Sequence, residues 1–239
     1  MNRLEDFVYN QKDLRNYKLR KWRHYFEIYD FHFSKFVGKC PKVLEIGVQH
    51  GGSIEMWNHY FGEGCEIFGV DVDPKCKTLF DDYDNIEILI GNQESREFWK
   101  SVKDKIPYFD VVIDDGGHLS SQQIVTFEET YPHISENGIF LVEDLGCNYI
   151  PGEKWRGGLK KEDTFIEYSK NLIDSLNSFY WCSNRTLDGD PTNPQVLKSR
   201  IDDPSADFFR RTTNSLTFYD QILVVEKRKN ENPDGSGVL

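Results

Sequence analysis

The stretch Leu44-Glu45-Ile46-Gly47-Val48-Gln49-His50-Gly51-Gly52-Ser53 decides how this chain reads. An apolar run with an acid inside it stops at Gly47, and Gly51, Gly52 and Ser53 then lead into a helix-like segment. Glycines at a strand end let the backbone approach a ligand closely, and the helix that follows offers free N–H groups and a positive dipole end. Ser53 is expected to cap that helix. The spacing departs from G-x-G-x-x-G, and an ordinary tight turn between strand and helix would use similar residues. The turn gains its meaning from what lies around it.

Downstream, the runs Ile67–Val70, Ile86–Ile90, Phe109–Ile113 and Ile139–Val142 resemble Val43–Ile46, each short and almost continuously apolar. Strands buried on both sheet faces have that composition. Between them lie helix-like segments over Ser53–Phe61, Gln93–Lys103 and Ser120–Tyr131. The alternation predicts an α/β fold built on a doubly wound parallel sheet. Near the end, Thr213–Phe218 and Gln221–Glu226, joined at Tyr219–Asp220, predict an antiparallel hairpin at a sheet edge. Upstream, Trp22, Tyr25, Phe26, Ile28, Tyr29, Phe33 and Phe36 recur at mostly helical spacing. The expected organisation is an N-terminal helical segment over 1–38 packed on a core over 39–228, with a flexible tail over 229–239. Leu187–Asp207, rich in Asp, Pro, Asn and Ser, reads as a long loop.

Twenty-nine basic against 40 acidic residues leave a net charge of −11, which disfavours a general nucleic-acid binder. Lys18, Arg20, Lys21 and Arg23 form a short basic patch, read as a solvated helix face. No apolar run approaches the ~20 residues of a membrane span, and the start has no apolar signal core. A soluble, cytoplasmic chain is expected. The five cysteines form no zinc-like spacing and are expected to be free thiols. The aromatic N-terminal segment offers a surface for homo-oligomer formation.

The chemistry gathers at the strand ends. Asp71, closing the second strand, is placed to accept both hydroxyl protons of a ribose, and Asn92-Gln93 forms a polar tip after the third. The fourth strand runs into Asp114-Asp115-Gly116-Gly117-His118 and the fifth into Glu143-Asp144. In a doubly wound sheet these ends open on one crevice, where four carboxylates repel one another unless a cation lies between them. Hard oxygen donors on short loops suit Mg²⁺, and His118 is a natural base. Each residue also has a plain structural reading: Asp71 or Asp114 as a cap, His118 as a packed ring, Glu143-Asp144 as solvated loop acids. Their convergence on one sheet edge argues against all of these holding together.

With those residues in view, the chain resembles the class I S-adenosylmethionine-dependent methyltransferases, and more narrowly the metal-dependent sugar O-methyltransferases of the macrolide-glycoside and rhamnosyl type. The resemblance covers roughly residues 22–228. It rests on Glu45-x-Gly47-x-x-x-Gly51-Gly52-Ser53, Gly69-Val70-Asp71, Asp114-Asp115-Gly116-Gly117-His118, Glu143-Asp144 with Tyr149, and Ser215–Asp220. It implies a Rossmann-like seven-stranded sheet with the last strand antiparallel. It further implies S-adenosylmethionine bound by Glu45, Gly47, Gly51, Gly52, Ser53, Asp71, Asn92, Gln93 and Asp114. Asp115, Glu143 and Asp144 would hold Mg²⁺, and His118 would take the proton of a sugar hydroxyl. Asn92 and Gly117 stand where the family often has Asp and Ser. The loop Leu145–Glu162, with Gly146, Gly152, Gly157 and Gly158 as hinges, is expected to close over the sugar or glycoside acceptor, with Tyr149 and Trp155 stacking on it. Two alternatives stay open at this point: a nicotinamide-dependent oxidoreductase and a non-catalytic nucleotide-binding module.

Overall fold

Parallel strands with apolar residues on both faces need helices above and below, and the chain supplies them. The structure is a computed structural model that describes residues 4, 7, 8, 18–177 and 208–229. Seven strands form one sheet: β1 (Lys42–Ile46), β2 (Glu66–Asp71), β3 (Ile86–Ile90), β4 (Phe109–Asp114), β5 (Ile134–Val142), β6 (Thr213–Phe218) and β7 (Leu223–Lys227). Their order is β3-β2-β1-β4-β5-β7-β6. The five from β3 to β5 are parallel, and β7 inserts antiparallel between β5 and β6. The predicted α/β sheet and terminal hairpin are both present. Its link spans Tyr219 to Ile222, with the Tyr219 N–H donating to the Ile222 carbonyl at 2.8 Å, so the second strand starts at Leu223 rather than Gln221.

The helices are α1 (Tyr25–Phe33), α2 (Gly52–Phe61), α3 (Arg96–Lys105), α4 (Ser120–Thr130), α5 (Phe165–Leu176) and the short α6 (Phe208–Thr212). One face of the sheet packs α1 and α2 through Tyr29, Phe33, Trp57 and Phe61 against Val43, Val111 and Ile139. The opposite face packs Trp99, Phe127 and Phe165 against Leu44, Val112 and Phe140. Burial of so much aromatic surface, at roughly 25 cal/mol per Å², is the dominant stabilising term. Tyr29 and Phe33 stack at 5.9 Å with Trp57 edge-on to both, so α1 is built into the core.

Several boundaries differ from the sequence reading for local reasons. α2 is capped by Gly51 in the left-handed region at φ +81°, while the Ser53 hydroxyl turns inward and donates to Glu45 Oε2 at 2.8 Å. α3 starts only at Arg96, because Ser95 accepts from the Phe98 N–H and caps it; Gln93 is left in the preceding turn. β5 begins five residues earlier than its apolar run, where Ile134 pairs with Phe109 before an irregularity. The predicted loop Leu187–Asp207 and most of the predicted tail lie outside the described residues. Among the described residues no helix is long and apolar enough to cross a membrane.

Candidate active site

The strand order reverses between β1 and β4, and the register brings Ile46 beside both Val70 and Asp114, with Asp114 beside Val142. Asp71, Asp114 and the turns that follow Ile46 and Val142 therefore lie at the carboxyl edge of the sheet, while Glu45 sits inside β1 and Gly52 and Ser53 lie in α2. The geometry divides them into a cavity and an acidic cluster.

The cavity, about 280 Å³, is lined by Gly47, Gln49, Asp71, Val72, Gly91, Asn92, Gln93, Gly116, Gly117 and Gln122. Asp71 also shapes it: Oδ2 accepts from the Val48 and Gln49 backbone N–H groups at 3.0 and 2.9 Å, and Oδ1 from Asp73 N–H. A carboxylate has about four lone-pair positions, so acceptor capacity remains. Gln93 is buried behind the wall, donating to Asp114 Oδ1 and Thr126 and accepting from Gly117 N–H at 2.8 Å. Its polar atoms are all engaged within the protein, which a reading of the tip as exposed does not anticipate. Asn92 Oδ1 accepts from Glu94 N–H.

Asp114 is fully buried, and burial pushes its carboxyl up to about 6, against the opposing bonds from Gly116 N–H and Gln93. An acid raised in the folded state stabilises the fold fully below its unfolded value and loses that contribution as pH rises through about 6. Asp114→Asn therefore flattens the stability profile between about pH 4 and 6, removing a change on the order of 2 kcal/mol. Denaturant midpoints measured across that range for both proteins check it; parallel profiles refute it.

The acidic cluster has an inner and an outer side. On the inner side lies Lys21, whose side chain is 2% exposed. Its ammonium donates to Asp115 Oδ2 at 2.6 Å and to both Glu143 oxygens at 2.9 Å, and lies 3.6 Å from Glu45 Oε1. The basic patch thus does not form a solvated helix face: residues 18–22 are not helical, and Lys21 turns into the site because three carboxylates outweigh its desolvation. Burial works against its charge, but Asp115, Glu143 and Glu45 hold it well above the ordinary lysine value. Burial pushes Glu45 up to about 7, and burial followed by the Asp115 charge raises Glu143. Two hydroxyls of α1 complete the arrangement: Tyr29 donates to Glu143 Oε1 at 2.6 Å and Tyr25 to Asp144 Oδ1 at 2.7 Å.

On the outer side, Asp115, Asp144 and His118 bring ligand atoms within 4.8 Å of one another. His118 Nε2 lies 3.7 Å from Asp144 Oδ2 and 4.0 Å from Asp115 Oδ1. His118 and Asp144 both hold left-handed backbone, at φ +58° and +55°. Such conformations cost on the order of 1 kcal/mol or more each and cluster at functional sites. Glu143, grouped with the two aspartates in the sequence reading, directs its oxygens to Lys21 and Tyr29.

Sequence reasoning missed Lys21, Tyr25 and Tyr29 as parts of the site. The signal for the two tyrosines was their spacing of four, which puts both phenols on one stripe of α1; Lys21, in the non-helical stretch before it, carried no such signal. The loop after Asp144 also differs from a hinge. Gly146 N–H donates to Gln221 Oε1, Gly157 N–H to the Ile150 carbonyl, and Gly158 N–H to the Asn148 carbonyl, leaving Gly152 alone of the four without such a bond described. The bonded loop sets the Trp155 ring 6.1 Å from the His118 ring and leaves Tyr149 41% exposed. Cys147 is unsuited to thiolate chemistry, since burial and then Asp144 raise it.

Comparison with known proteins bears on this geometry. No protein-family model matches the chain. The 8-demethyl-8-(2-methoxy-alpha-L-rhamnosyl)-tetracenomycin-C 3'-O-methyltransferase of Streptomyces olivaceus is 34% identical over 168 residues, 67% of this chain and 42% of that protein. Mycinamicin VI 2''-O-methyltransferase of Micromonospora griseorubida is 29% identical over 211 residues, 85% of this chain and 48% of that protein. The crystal structure of MycE methyltransferase from the mycinamycin biosynthetic pathway, in complex with Mg and SAH, superposes with a TM-score of 0.71 at 28% identity, covering 88% of this chain and 51% of that one. The homologues of this chain are sugar O-methyltransferases. Its sheet is the Rossmann-like methyltransferase fold, with β7 as the antiparallel strand. The chain spans about half the length of the curated relatives it matches.

Proposed function

We propose that this chain is the methyltransferase unit of an S-adenosylmethionine-dependent O-methyltransferase that acts, with Mg²⁺ or a similar divalent cation, on a sugar hydroxyl of a glycosylated metabolite. The observation that carries the reading is the adjacency, at one sheet edge, of a small-molecule cavity and a cluster of two outward carboxylates with a histidine. The cofactor fits the cavity wall. Asp71 retains lone pairs for ribose hydroxyls, Asn92 offers an amide to the base, and Gly47 lets the backbone approach at φ +97°. Gly51 caps α2 in the left-handed region, and Gly52 lets the backbone of residues 18–19 pass close against the start of that helix. Glu45, Ser53, Gln93 and Asp114 act from behind, fixing the turns that make the wall.

The donor set suits a hard divalent ion, since Asp115 Oδ1 and Asp144 Oδ2 face the same side. A cation bound there supplies Lewis acidity that lowers the acceptor hydroxyl's pKa. His118 would take the proton of that hydroxyl at Nε2, and S-adenosylmethionine held in the cavity would supply the methyl group and leave as its thioether. Trp155, beside His118, presents an aromatic face to the sugar and narrows water access. Positioning of two bound reactants accounts for much of the acceleration.

Calorimetric titration with S-adenosylhomocysteine, run beside NAD, tests the cofactor half of this reading, and methyl transfer to a rhamnosylated acceptor with and without EDTA tests the metal half. The expected results are binding of S-adenosylhomocysteine alone, near micromolar, about −8 kcal/mol, and turnover lost in chelator and restored by Mg²⁺. NAD binding in its place returns the oxidoreductase reading, and binding of neither returns the non-catalytic module.

A further inference from the structure

Helix α1 turns one stripe into the core and leaves another facing outward. His24, Glu27, Ile28 and Phe31 follow the i, i+3, i+4, i+7 spacing of a single helix face, and with Tyr219 and Asp220 they line a groove of about 370 Å³. That volume falls in the range of roughly 300–1,000 Å³ that small-molecule sites occupy. Phe31 is 76% exposed there, although most aromatic rings of α1 are buried.

Both walls begin one residue from the acidic cluster. His24 precedes Tyr25, whose hydroxyl is on Asp144. Asp220 precedes Gln221, whose carbonyl and Oε1 accept from the Leu145 and Gly146 N–H groups, directly after Asp144. His24 Nε2 lies 3.3 Å from the Asp220 carbonyl oxygen and ties the two walls together. From there the groove runs along α1 to Phe31, about 10 Å away at the rise of an α-helix. The Tyr219 wall is held from behind, with Oη 2.9 Å from Nε2 of buried His32 and His32 Nδ1 3.1 Å from Glu226 Oε1. None of the groove's residues lines the cofactor cavity or belongs to the Asp115–His118–Asp144 cluster.

We propose that this groove is a second sugar subsite, which holds the sugar residue next to the one being methylated, so that the acceptor carries a chain of at least two sugars. Phe31 and Tyr219 offer aromatic faces to the C–H face of a pyranose, and the exposed carboxylates of Glu27 and Asp220 accept from its hydroxyls. Glu27 meets no cation among the described residues, so its acceptor capacity is free. A wholly apolar occupant would strip water from both carboxylates and give them nothing in return.

The inference rests on the proposed sugar-acceptor reading. Its test is a saturation-transfer NMR titration of the full chain, loaded with S-adenosylhomocysteine, with methyl α-L-rhamnoside and with the methyl glycoside of a rhamnose disaccharide. The disaccharide is expected to bind about tenfold more tightly than the monosaccharide. Phe31→Ala removes that advantage and Glu27→Gln reduces it about threefold, while the monosaccharide and S-adenosylhomocysteine bind as before. Equal affinity for the two sugars in the wild type, binding of neither, or a preference that survives Phe31→Ala overturns the proposal. Sedimentation velocity on the same samples supplies a further check: a dimer that Phe31→Ala converts to monomer makes the groove an interface between two copies and overturns it as well. Should Phe31→Ala not fold, Glu27→Gln, at an exposed position, decides alone. Loss of S-adenosylhomocysteine binding by the wild type reports failure of the methyltransferase reading, and it is seen before any sugar is added.

Discussion

His118→Ala lowers kcat for methyl transfer by about a thousandfold while S-adenosylhomocysteine and Mn²⁺ bind as they do to the wild type. A positioned general base contributes on the order of 10²–10⁴ in rate, and a thousandfold corresponds to about 4 kcal/mol of barrier. The expectation follows from distance. His118 Nε2 stands 3.7 and 4.0 Å from the outer oxygens of Asp144 and Asp115, beyond hydrogen-bond reach, so neither carboxylate occupies its ring nitrogen. It does not line the cavity, so its removal leaves the cofactor's contacts intact. The measurement pairs single-turnover methyl transfer with Mn²⁺ titration. Loss of both activity and Mn²⁺ affinity would make the ring a ligand instead of a base, since the same three groups lie within ligand distance of one another. Unchanged turnover would remove it from either role. Trp155→Ala in the same assay separates proton transfer from acceptor stacking, because a lost aromatic face raises KM for the sugar before it lowers kcat.

The sheet was legible because burial on both faces writes itself as short unbroken apolar runs, and no competing pattern interferes with them. Strand ends were legible for the same reason: polar residues resume where the sheet opens, and in a doubly wound fold that edge is where ligands bind. The left-handed turns at His118 and Asp144 left no sequence signal of their own, since neither residue type demands that conformation. Gln93 illustrates a different limit. It stands in a polar tetrapeptide that reads as a loop tip, yet Trp99 Nε1 donates to its carbonyl and its amide bridges Asp114 to Gly117. A side chain's direction out of a turn depends on which buried groups need partners, and those lie 21 to 33 residues away.

Lys21 marks the same limit more sharply. A lysine among Lys18, Arg20 and Arg23 reads as one of a solvated group, and its neighbours are indeed exposed. What draws one of the four inward is a deficit of positive charge 94 and 122 residues along the chain, at Asp115 and Glu143. The acids that define the cluster were found from their position on strand ends, but the donors that orient them come from the segment before β1, which carries no strand or motif. Helix α1 packs its buried aromatic residues against α2 and the sheet. Its two phenols serve both purposes, with Tyr29 fully buried in the core and its hydroxyl on Glu143.

Gly47→Ala lowers the melting temperature of the metal-free and cofactor-free protein by about 10 °C, a loss of roughly 3–4 kcal/mol, and weakens S-adenosylhomocysteine binding by about a hundredfold. Gly47 sits at φ +97°, and a Cβ there would lie 2.1 Å from the Asp115 carbonyl oxygen and 2.8 Å from its carbon. Those are backbone atoms, which cannot rotate aside. The two turns are also tied, with Asp115 N–H donating to the Ile46 carbonyl at 3.0 Å and Gly47 N–H to the Val70 carbonyl at 2.8 Å. Any shift that relieves the clash moves Asp115, and with it both the oxygen held by Lys21 and the oxygen facing His118. Gly62 separates conformational strain from this contact: it has φ +83°, but a Cβ there meets nothing within 4 Å. Gly62→Ala is therefore expected to cost about 1 kcal/mol, a few degrees, with S-adenosylhomocysteine affinity unchanged. Thermal unfolding and calorimetry on the two variants check this, and an equal loss of stability in both would mean that φ alone sets the cost at Gly47. The larger loss at Gly47 would place the first turn of the sheet and the acidic cluster in one mechanical unit, where closeness of backbone to backbone is what the glycine supplies.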